Sequence, residues 1–225
     1  MRYAIFSDLH DNQTGLTAVL ADAEAWQVET LLYLGDVGRD PRLFLALQER
    51  QIACIFGNWE VSGWQRLPTP LAGWVGEWPA TIQQGTAIFC HATPDMPASV
   101  TKTAEASAYM AGQQSWHTLF PRLHRQEAAR WAALATLEAA NLRVAFHGHT
   151  HVQELYGWES DETGQRRLRV VRTPGDYTMT PGQPTAPNRY LVGVGSAGAP
   201  DDGPGLCYAR YDDMTQQVIL RRLSL

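Results

Sequence analysis

The sequence predicts an α/β fold in which two mixed β-sheets pack on each other between outer layers of helices. In the first half of the chain, short apolar runs alternate with longer helical patterns. The apolar runs are continuous, which is typical of strands that are covered on both faces. After position 151 the pattern changes to closely spaced strands, which supply a second sheet. Together these observations predict a four-layer α/β/β/α sandwich.

The elements of the first half follow from this alternation. Helices are predicted at Thr14 to Trp26 and Pro41 to Arg50, the second with Asp40 as its cap and proline in its first turn. The predicted strands are Tyr3 to Ser7, Thr30 to Leu34, Ile52 to Phe56, Thr86 to Cys90 and Leu142 to Phe146.

The second half begins with a segment that is long for a simple crossover. Residues 100–140 are predicted to form a mostly helical insertion that is long enough to make a cap beside an active site. Residues 174–188 are rich in Pro, Gly and Thr and are predicted to form a loop. We expect one domain over residues 1–225. The strands predicted here are Gln153 to Trp158, Arg166 to Arg172, Tyr190 to Gly195, Leu206 to Tyr211 and Gln217 to Arg222.

Composition narrows the class of partner and the compartment. The net charge of -5 argues against binding bulk nucleic acid or an anionic membrane, but bound cations would allow a small phosphorylated substrate. Cys54, Cys90 and Cys207 lie in apolar runs and are expected to be buried thiols. The chain opens directly into YAIFSD and has no apolar run long enough to cross a bilayer, so we expect a cytoplasmic protein. Homo-oligomerisation remains open.

Residues that can bind metal follow the ends of the first five predicted strands. Side chains at such positions converge at the carboxyl edge of an α/β sheet. The motifs are SDLHDN, LGDVG, FGNWE, FCHATP and FHGHTH, and the candidate ligands are Asp8, His10, Asp36, Asn58, His91, His149 and His151.

The spacing of these residues favours a shared metal centre. In extended backbone, side chains two positions apart point the same way, so Asp8 and His10 can bind one ion, and His149 and His151 can reach neighbouring ions. Each residue alone is weak support, since a lone aspartate after a strand is usually a turn or helix cap. Oxygen and imidazole ligands suit Mn²⁺, Zn²⁺ or Fe better than Ca²⁺.

At these motifs the sequence resembles the calcineurin-like metallophosphoesterases, in particular the small bacterial and archaeal phosphodiesterases. Their serial pattern is D-x-H, G-D, G-N-H-D/E, a histidine after apolar residues, and G-H-x-H. The segment VGVGSAGAPDDG also resembles the terminal G-S-x-G-x-P segment of the family. The match extends from Ser7 to the tail, and the set of motifs is far more specific than any one of them.

The resemblance implies a calcineurin-like fold and two divalent metal ions, with Mn²⁺ favoured and Fe, Zn, Ni or Co as alternatives. A hydroxide bridging the ions would attack phosphorus in line, without a phosphoenzyme. Asn58 and His91 would also contact the phosphate, and with Asp36 they form the catalytic set implied. One ion would be held by Asp8, His10, Asp36 and His151, and the other by Asp36, Asn58, His91 and His149.

Three positions depart from the family pattern. Trp59 stands where many members have a histidine thought to assist the leaving group, and an indole cannot transfer a proton usefully at neutral pH. We therefore expect a preference for diesters, aryl esters or anhydrides. Trp59 could instead stack on a base or aryl group, or simply pack. Asp11 replaces a usual glycine, and Asp201 a frequent basic residue.

Other polar residues have a structural and a functional interpretation. Arg39 could be an ordinary surface arginine, or its guanidinium could contact a phosphate oxygen of the substrate. His147 is expected to be packed, and His117 and His124 to be surface residues, although a histidine of the insertion could replace the missing general acid. The arginines of one predicted hairpin are expected to face solvent: Arg166, Arg167, Arg169 and Arg172.

These considerations lead to one preferred function and two alternatives. The preferred function is metal-dependent hydrolysis of a phosphodiester. The first alternative is a phosphomonoesterase or a dinucleoside polyphosphate hydrolase, which the same metal centre would serve. The second is a protein-binding scaffold without activity. Trp59, in place of the usual histidine, is compatible with this alternative, whereas the complete set of candidate ligands argues against it.

Overall fold

The computed structural model describes residues 1–224 and contains two six-stranded sheets with helices on their outer faces. The helices are α1 (Gln13–Ala25), α2 (Pro41–Glu49), α3 (Asn58–Gly63), α4 (Thr69–Gly76), α5 (Thr103–Met110) and α6 (Glu127–Ala139). The strands are β1 (Arg2–Phe6), β2 (Thr30–Tyr33), β3 (Ala53–Cys54), β4 (Thr81–Gln84), β5 (Ala87–Cys90), β6 (Val144–His147), β7 (Gln153–Ser160), β8 (Arg166–Val171), β9 (Gly175–Thr178), β10 (Gly182–Gln183), β11 (Ala186–Pro187), β12 (Arg189–Val194), β13 (Leu206–Asp212) and β14 (Gln217–Leu223).

Both sheets are mixed, and their parallel strands set the position of the site. The first sheet has the order β3-β2-β1-β13-β14-β9, with β1, β2 and β3 parallel. The second has the order β4-β5-β6-β12-β7-β8, with β5, β6 and β12 parallel. Parallel neighbours end at the same edge, so the loops after β1, β2 and β3 lie together, as do those after β5 and β6.

Three apolar clusters separate the four layers. Between the sheets, Ile5 and Tyr211 of the first sheet share a buried cluster with Phe89 and Phe146 of the second. Helices α1 and α2 cover the outer face of the first sheet, and α6 covers the outer face of the second through a separate cluster. This arrangement confirms the predicted α/β/β/α sandwich of two mixed sheets.

The region from 100 to 140 has two structural roles. Leu134 and Leu137 of α6 pack against Leu191 of β12, so this helix is an outer layer of the sandwich. Residues 111–126, between α5 and α6, approach the ends of the strands, where Phe120 is buried.

The loop predicted at 174–188 is partly wrong. Strand β9 pairs with β14, and the short strands β10 and β11 pair with each other. These strands lie at an edge or outside the main sheets and are rich in Gly, Pro and Thr, so they lack the apolar pattern of a covered strand.

Two other expectations concern the interior and the membrane. Cys54, Cys90 and Cys207 are buried free thiols, as predicted, and burial raises the pKa of each. Within residues 1–224, every helix is too short or too polar to span a bilayer.

Candidate metal centre

Three of the five loops that carry the candidate ligands, those after β1, β2 and β6, contain strained residues. Asp8, His10 and Asp36 adopt the left-handed backbone region at φ 57°, 45° and 63°. His149 and His151 do so at 61° and 58°. For residues other than glycine this conformation costs about 1–2 kcal/mol each, and it is maintained only where the surroundings enforce it. Strain concentrated at five candidate ligands indicates a functional arrangement.

One group of candidate ligands comes from the loops after β1 and β6. The ligand atoms of Asp8, His10 and His151 all lie within 4.8 Å of one another. Asp8 Oδ1 lies 3.3 Å from His151 Nε2 and 3.7 Å from His10 Nε2, and the two Nε2 atoms are 3.0 Å apart. The three side chains therefore surround one point.

A second group forms beside the first. The ligand atoms of Asp36, His91 and His149 also lie within 4.8 Å of one another. His91 Nε2 is 3.5 Å from Asp36 Oδ1 and 3.2 Å from Asn58 Oδ1, so the amide of Asn58 faces this group as well.

The Asp36 carboxylate lies between the two groups. Its Oδ1 faces His91, and its Oδ2 lies 4.0 Å from His10 Nε2. Oδ1 also accepts a hydrogen bond of 2.8 Å from the Trp59 backbone amide, which fixes the orientation of the carboxylate. One side chain can therefore serve both groups.

Three of the four histidines are oriented by backbone carbonyl groups, which leaves the second ring nitrogen of each available to a metal. The pairs are His91 Nδ1 with Leu34 O at 2.6 Å, His149 Nε2 with Phe120 O at 3.0 Å, and His151 Nδ1 with Ala199 O at 2.7 Å. The contact to Phe120 ties the segment between α5 and α6 to the centre.

Burial and mutual charge shift the pKa values of Asp8, His91 and His149 at the centre. Burial opposes the ionisation of Asp8, yet the neighbouring imidazoles of His10 and His151 hold its pKa well below its usual range. Burial opposes the charged form of His91, but Asp36 raises its pKa to about 9. Burial and the charge of His91 lower the pKa of His149 to about 3.

A buried oxygen atom without a hydrogen-bond partner also indicates that the candidate ligands fit a metal ion. Asp8 Oδ1 is buried and has no hydrogen-bond partner among the described residues. A buried carboxylate oxygen without a partner is costly, and a cation held with His10 and His151 would satisfy it. Carboxylate, amide and imidazole donors suit the borderline divalent metals.

Glu60 supports the centre and was missed as a site residue by sequence reasoning. It is buried, and it accepts hydrogen bonds from the backbone amides of Asp36, Val37 and Gly57 at 2.8, 2.9 and 2.7 Å. Burial and the charge of Asp36 raise its pKa to about 7. Glu60 is the third residue of α3, and its carboxylate reaches back to the amide of Gly57 before the helix, which is the glutamate half of a capping box. A glutamate at this spacing is the sequence signal that could have identified it.

The terminal segment joins the ligand loops of both sheets. Ser196 Oγ donates to the Asp8 carbonyl at 2.7 Å and accepts from the Ala199 amide at 2.7 Å. A Cβ at Gly198 would lie 1.9 Å from the Leu9 carbonyl oxygen, so only glycine permits this approach.

The three residues that depart from the family pattern make specific contacts near the candidate ligands. Asp11 Oδ1 accepts from the amides of Arg39 and Asp40 at 2.6 and 2.7 Å, so it holds the loop after β2. Trp59 lies against the His10 ring, with centroids 4.8 Å apart, and the guanidinium of Arg39 lies 5.5 Å from the Trp59 ring centroid. Asp201 is exposed, and its amide donates to the His151 carbonyl at 3.0 Å.

The remaining histidines lie outside both ligand groups. His147 is buried, its Nδ1 lies 3.1 Å from the Gly148 carbonyl, and burial lowers its pKa to about 4. His117 is exposed, whereas His124 is half-buried and has a pKa lowered by burial and by Arg125.

The arginines of β8, together with Arg172 directly after it, lie at the edge of the second sheet. Arg166 and Arg169 form ion pairs of 2.9 and 3.3 Å with Glu138 and Glu159, and Arg172 lies 3.5 Å from Glu154. Arg167, Arg169 and Arg172 are exposed, as predicted, whereas Arg166 is half-buried, contrary to the prediction.

Comparison with known proteins shows which family the chain is similar to in sequence and in fold. The calcineurin-like phosphoesterase superfamily domain matches residues 1–213. A metallophosphoesterase from Sphaerobacter thermophilus is similar in structure, with a TM-score of 0.68 and 22% identity over 100% of this chain and 89% of the other. An archaeal phosphodiesterase has a TM-score of 0.52 and 12% identity over 99% and 100% of the two chains. Curated protein sequences give no significant match.

The structural similarities show a shared fold, because their identities are low, whereas the domain match spans nearly the whole chain. The two groups of candidate ligands are formed by residues of the motifs on which the resemblance rests. The chain belongs to the calcineurin-like phosphoesterase superfamily.

Proposed function

We propose that the protein is a phosphodiesterase that depends on two divalent metal ions, with Mn²⁺ favoured. The observation that carries this proposal is the pair of adjacent ligand groups with the Asp36 carboxylate between them. Asp8, His10 and His151 would hold one ion, and Asn58, His91 and His149 the other, with Asp36 shared. When bound, such a pair of ions acidifies a water molecule and balances charge on the phosphoryl oxygens.

The protein's own residues would orient the substrate. The Asn58 amide and the His91 ring adjoin each other, and Asn58 also lines the neighbouring cavity, so both are suited to contact a phosphate oxygen. Arg39 lies at the same cavity and can add a guanidinium contact. These groups would hold the phosphorus in line between the attacking and leaving oxygens.

The preference for a diester follows from Trp59. This indole lies against His10 at the centre and cannot protonate a leaving alcohol at neutral pH. Esters with good leaving groups need the least protonation. The similarity in fold to an archaeal phosphodiesterase agrees with this preference.

The test is hydrolysis of bis(p-nitrophenyl) phosphate by purified protein with and without Mn²⁺, compared with the alkyl monoester glycerol phosphate. We expect Mn²⁺-dependent release of nitrophenol, little turnover of the monoester, and loss of activity in Asp36→Ala. Asp176→Ala, which removes an exposed carboxylate from β9, is the matched control and should retain activity.

The outcomes separate the alternatives. Faster hydrolysis of glycerol phosphate would make the protein a monoesterase. Absence of Mn²⁺-dependent hydrolysis of any ester would favour a protein-binding scaffold. We further propose a small phosphorylated substrate and a cytoplasmic location.

A further inference from the structure

A cavity of about 550 Å³ opens beside the candidate metal centre, and four aromatic residues contribute to its lining. Its aromatic lining is Trp59, Trp64, Trp116 and Phe44. Asn58 also lines this cavity and lies 3.2 Å from His91 Nε2, so the cavity is continuous with the second ligand group. The volume lies in the range of pockets that bind small molecules.

The aromatic walls come from separate parts of the chain. Trp59 and Trp64 lie in and directly after α3, whereas Trp116 lies in the segment between α5 and α6. Trp116 is 45% exposed even though its ring contacts Phe120, which is buried. An indole left exposed at a cavity mouth can increase its contact area by stacking on a flat ligand.

The charge at the cavity is positive although the whole chain is negative. Arg39 and Arg66 line it, and within residues 1–224 neither forms an ion pair with a carboxylate. Glu60 is the acidic residue in the lining, but it is buried and already accepts three backbone hydrogen bonds. The cavity therefore favours an anionic ligand that has a flat, apolar part.

We propose that this cavity, which we call the tryptophan pocket, binds a planar aromatic group esterified to the scissile phosphate. This inference rests on the proposed function and specifies its substrate class as aromatic phosphodiesters. The phosphate lies at Asn58 and the metal centre, and the ring lies between the indoles of Trp59 and Trp116. Arg39 and Arg66 attract the negatively charged ester into the pocket.

The test is calorimetric binding of ligands that differ only by an aromatic ring. Phenylphosphonate and methylphosphonate, which contain no ester bond, are titrated into the protein with Mn²⁺ and with EDTA. Adenosine 5′-monophosphate and ribose 5-phosphate are titrated under the same two conditions, and release of phosphate is monitored to exclude turnover. The first pair tests an aryl ring and the second a nucleobase.

We expect the ring to strengthen binding about tenfold or more, since stacking of one base on an aromatic side chain is worth about 1–3 kcal/mol. Trp116→Ala should abolish this gain and leave methylphosphonate binding unchanged, and Trp116→Phe should restore most of it. Trp131→Ala is the matched control, because Trp131 is 37% exposed and packs on Trp158, away from the pocket.

This experiment tests the proposed tryptophan pocket and the proposed metal centre separately. Equal affinities for the ligands with and without a ring, or a gain that survives in Trp116→Ala, would overturn the tryptophan pocket. Methylphosphonate binding that is independent of Mn²⁺ would instead contradict the metal-bound phosphate of the proposed function. The pair with the larger gain identifies the ring as aryl or nucleobase.

Discussion

At the scale of single residues, the centre contains two kinds of side chain. Some face the proposed metal ions, and others hold those candidate ligands in position. The candidate ligands could be predicted from the sequence because each follows a buried strand, where the chain must turn at the edge of the sheet. Glu60 could not be recognised in the same way, since its role depends on three amides that come from two loops.

Glu60→Gln tests this supporting role. Both carboxylate oxygens of Glu60 accept from backbone amides, so a glutamine must turn its NH₂ group toward at least one N–H donor. We expect a loss of about 1–3 kcal/mol in the free energy of unfolding, measured in urea. We also expect Mn²⁺ affinity to fall about 10- to 100-fold.

The matched control for Glu60 is Glu105→Gln. Glu105 also accepts a backbone amide, that of Thr101 at 2.9 Å, but it lies at the surface. It should retain the Mn²⁺ affinity of the original protein. If Glu60→Gln behaved like this control, Glu60 would have no supporting role.

At the scale of elements, the helices are held to the sheets by a few polar contacts in addition to apolar packing. Asp22 of α1 accepts hydrogen bonds from Arg210 Nη2 of β13 at 2.7 Å and from Arg221 Nη2 of β14 at 2.9 Å, and it also accepts one from the hydroxyl group of Tyr208. The sequence predicted α1 from its helical pattern. It could not predict this contact, because its partners are almost 200 residues away.

Asp22→Asn should destabilise the protein at neutral pH but not at acidic pH. Burial opposes the ionisation of Asp22, yet Arg221 and Tyr208 lower its pKa below the value in the unfolded chain. The carboxylate therefore stabilises the fold above the unfolded pKa of about 3.9, and this contribution is lost as the pH falls through the folded pKa.

Urea unfolding at several pH values measures this effect. Because Asp22 is partly exposed, we expect a difference of roughly 1 kcal/mol between Asp22→Asn and the original protein at pH 7. The difference should shrink as the pH is lowered below 4. Glu24→Gln, an exposed change on the same helix, is the control. A difference that stays constant with pH would show that the charge of Asp22 is not involved.

The edge strands show where element prediction fails. Buried strands such as β5 and β6 could be recognised from short apolar runs between polar segments. Strand β9 could not, because Gly175 and Asp176 have low strand propensity and the pairing with β14 depends on a distant partner. The helical pattern of α6 was predicted, but its position as an outer layer of the second sheet depends on packing that the sequence alone does not display.

At the scale of the whole molecule, the site depends on the alignment of the two sheets. Loops of the first sheet supply Asp8, His10, Asp36 and Asn58, and loops of the second supply His91, His149 and His151. The segment after β12 fixes the two sets to each other through Ser196 and through the His151 contact to Ala199. The resemblance of VGVGSAGAPDDG to a family segment marked this region without revealing its role as a connector.

Ser196→Ala tests the connector. The substitution leaves the Ala199 and Gly198 amides without their side-chain acceptor and removes the donor to the Asp8 carbonyl. We expect a loss of about 1–3 kcal/mol in stability. By calorimetry, Mn²⁺ binding at the group of Asp8, His10 and His151 should weaken more than binding at the other group.

Ser107→Ala on α5 provides the comparison, because this serine lies on a helix away from the ligand loops. It should bind Mn²⁺ like the original protein. Equal weakening of both metal sites in Ser196→Ala would contradict a role specific to the first group.

The most direct measurement of the central claim is anomalous diffraction from crystals of the protein grown with Mn²⁺. We predict two anomalous peaks on opposite sides of the Asp36 carboxylate, one beside Asp8, His10 and His151 and the other beside Asn58, His91 and His149. The absence of anomalous signal among these side chains, or Mn²⁺ bound only elsewhere on the molecule, would contradict the account.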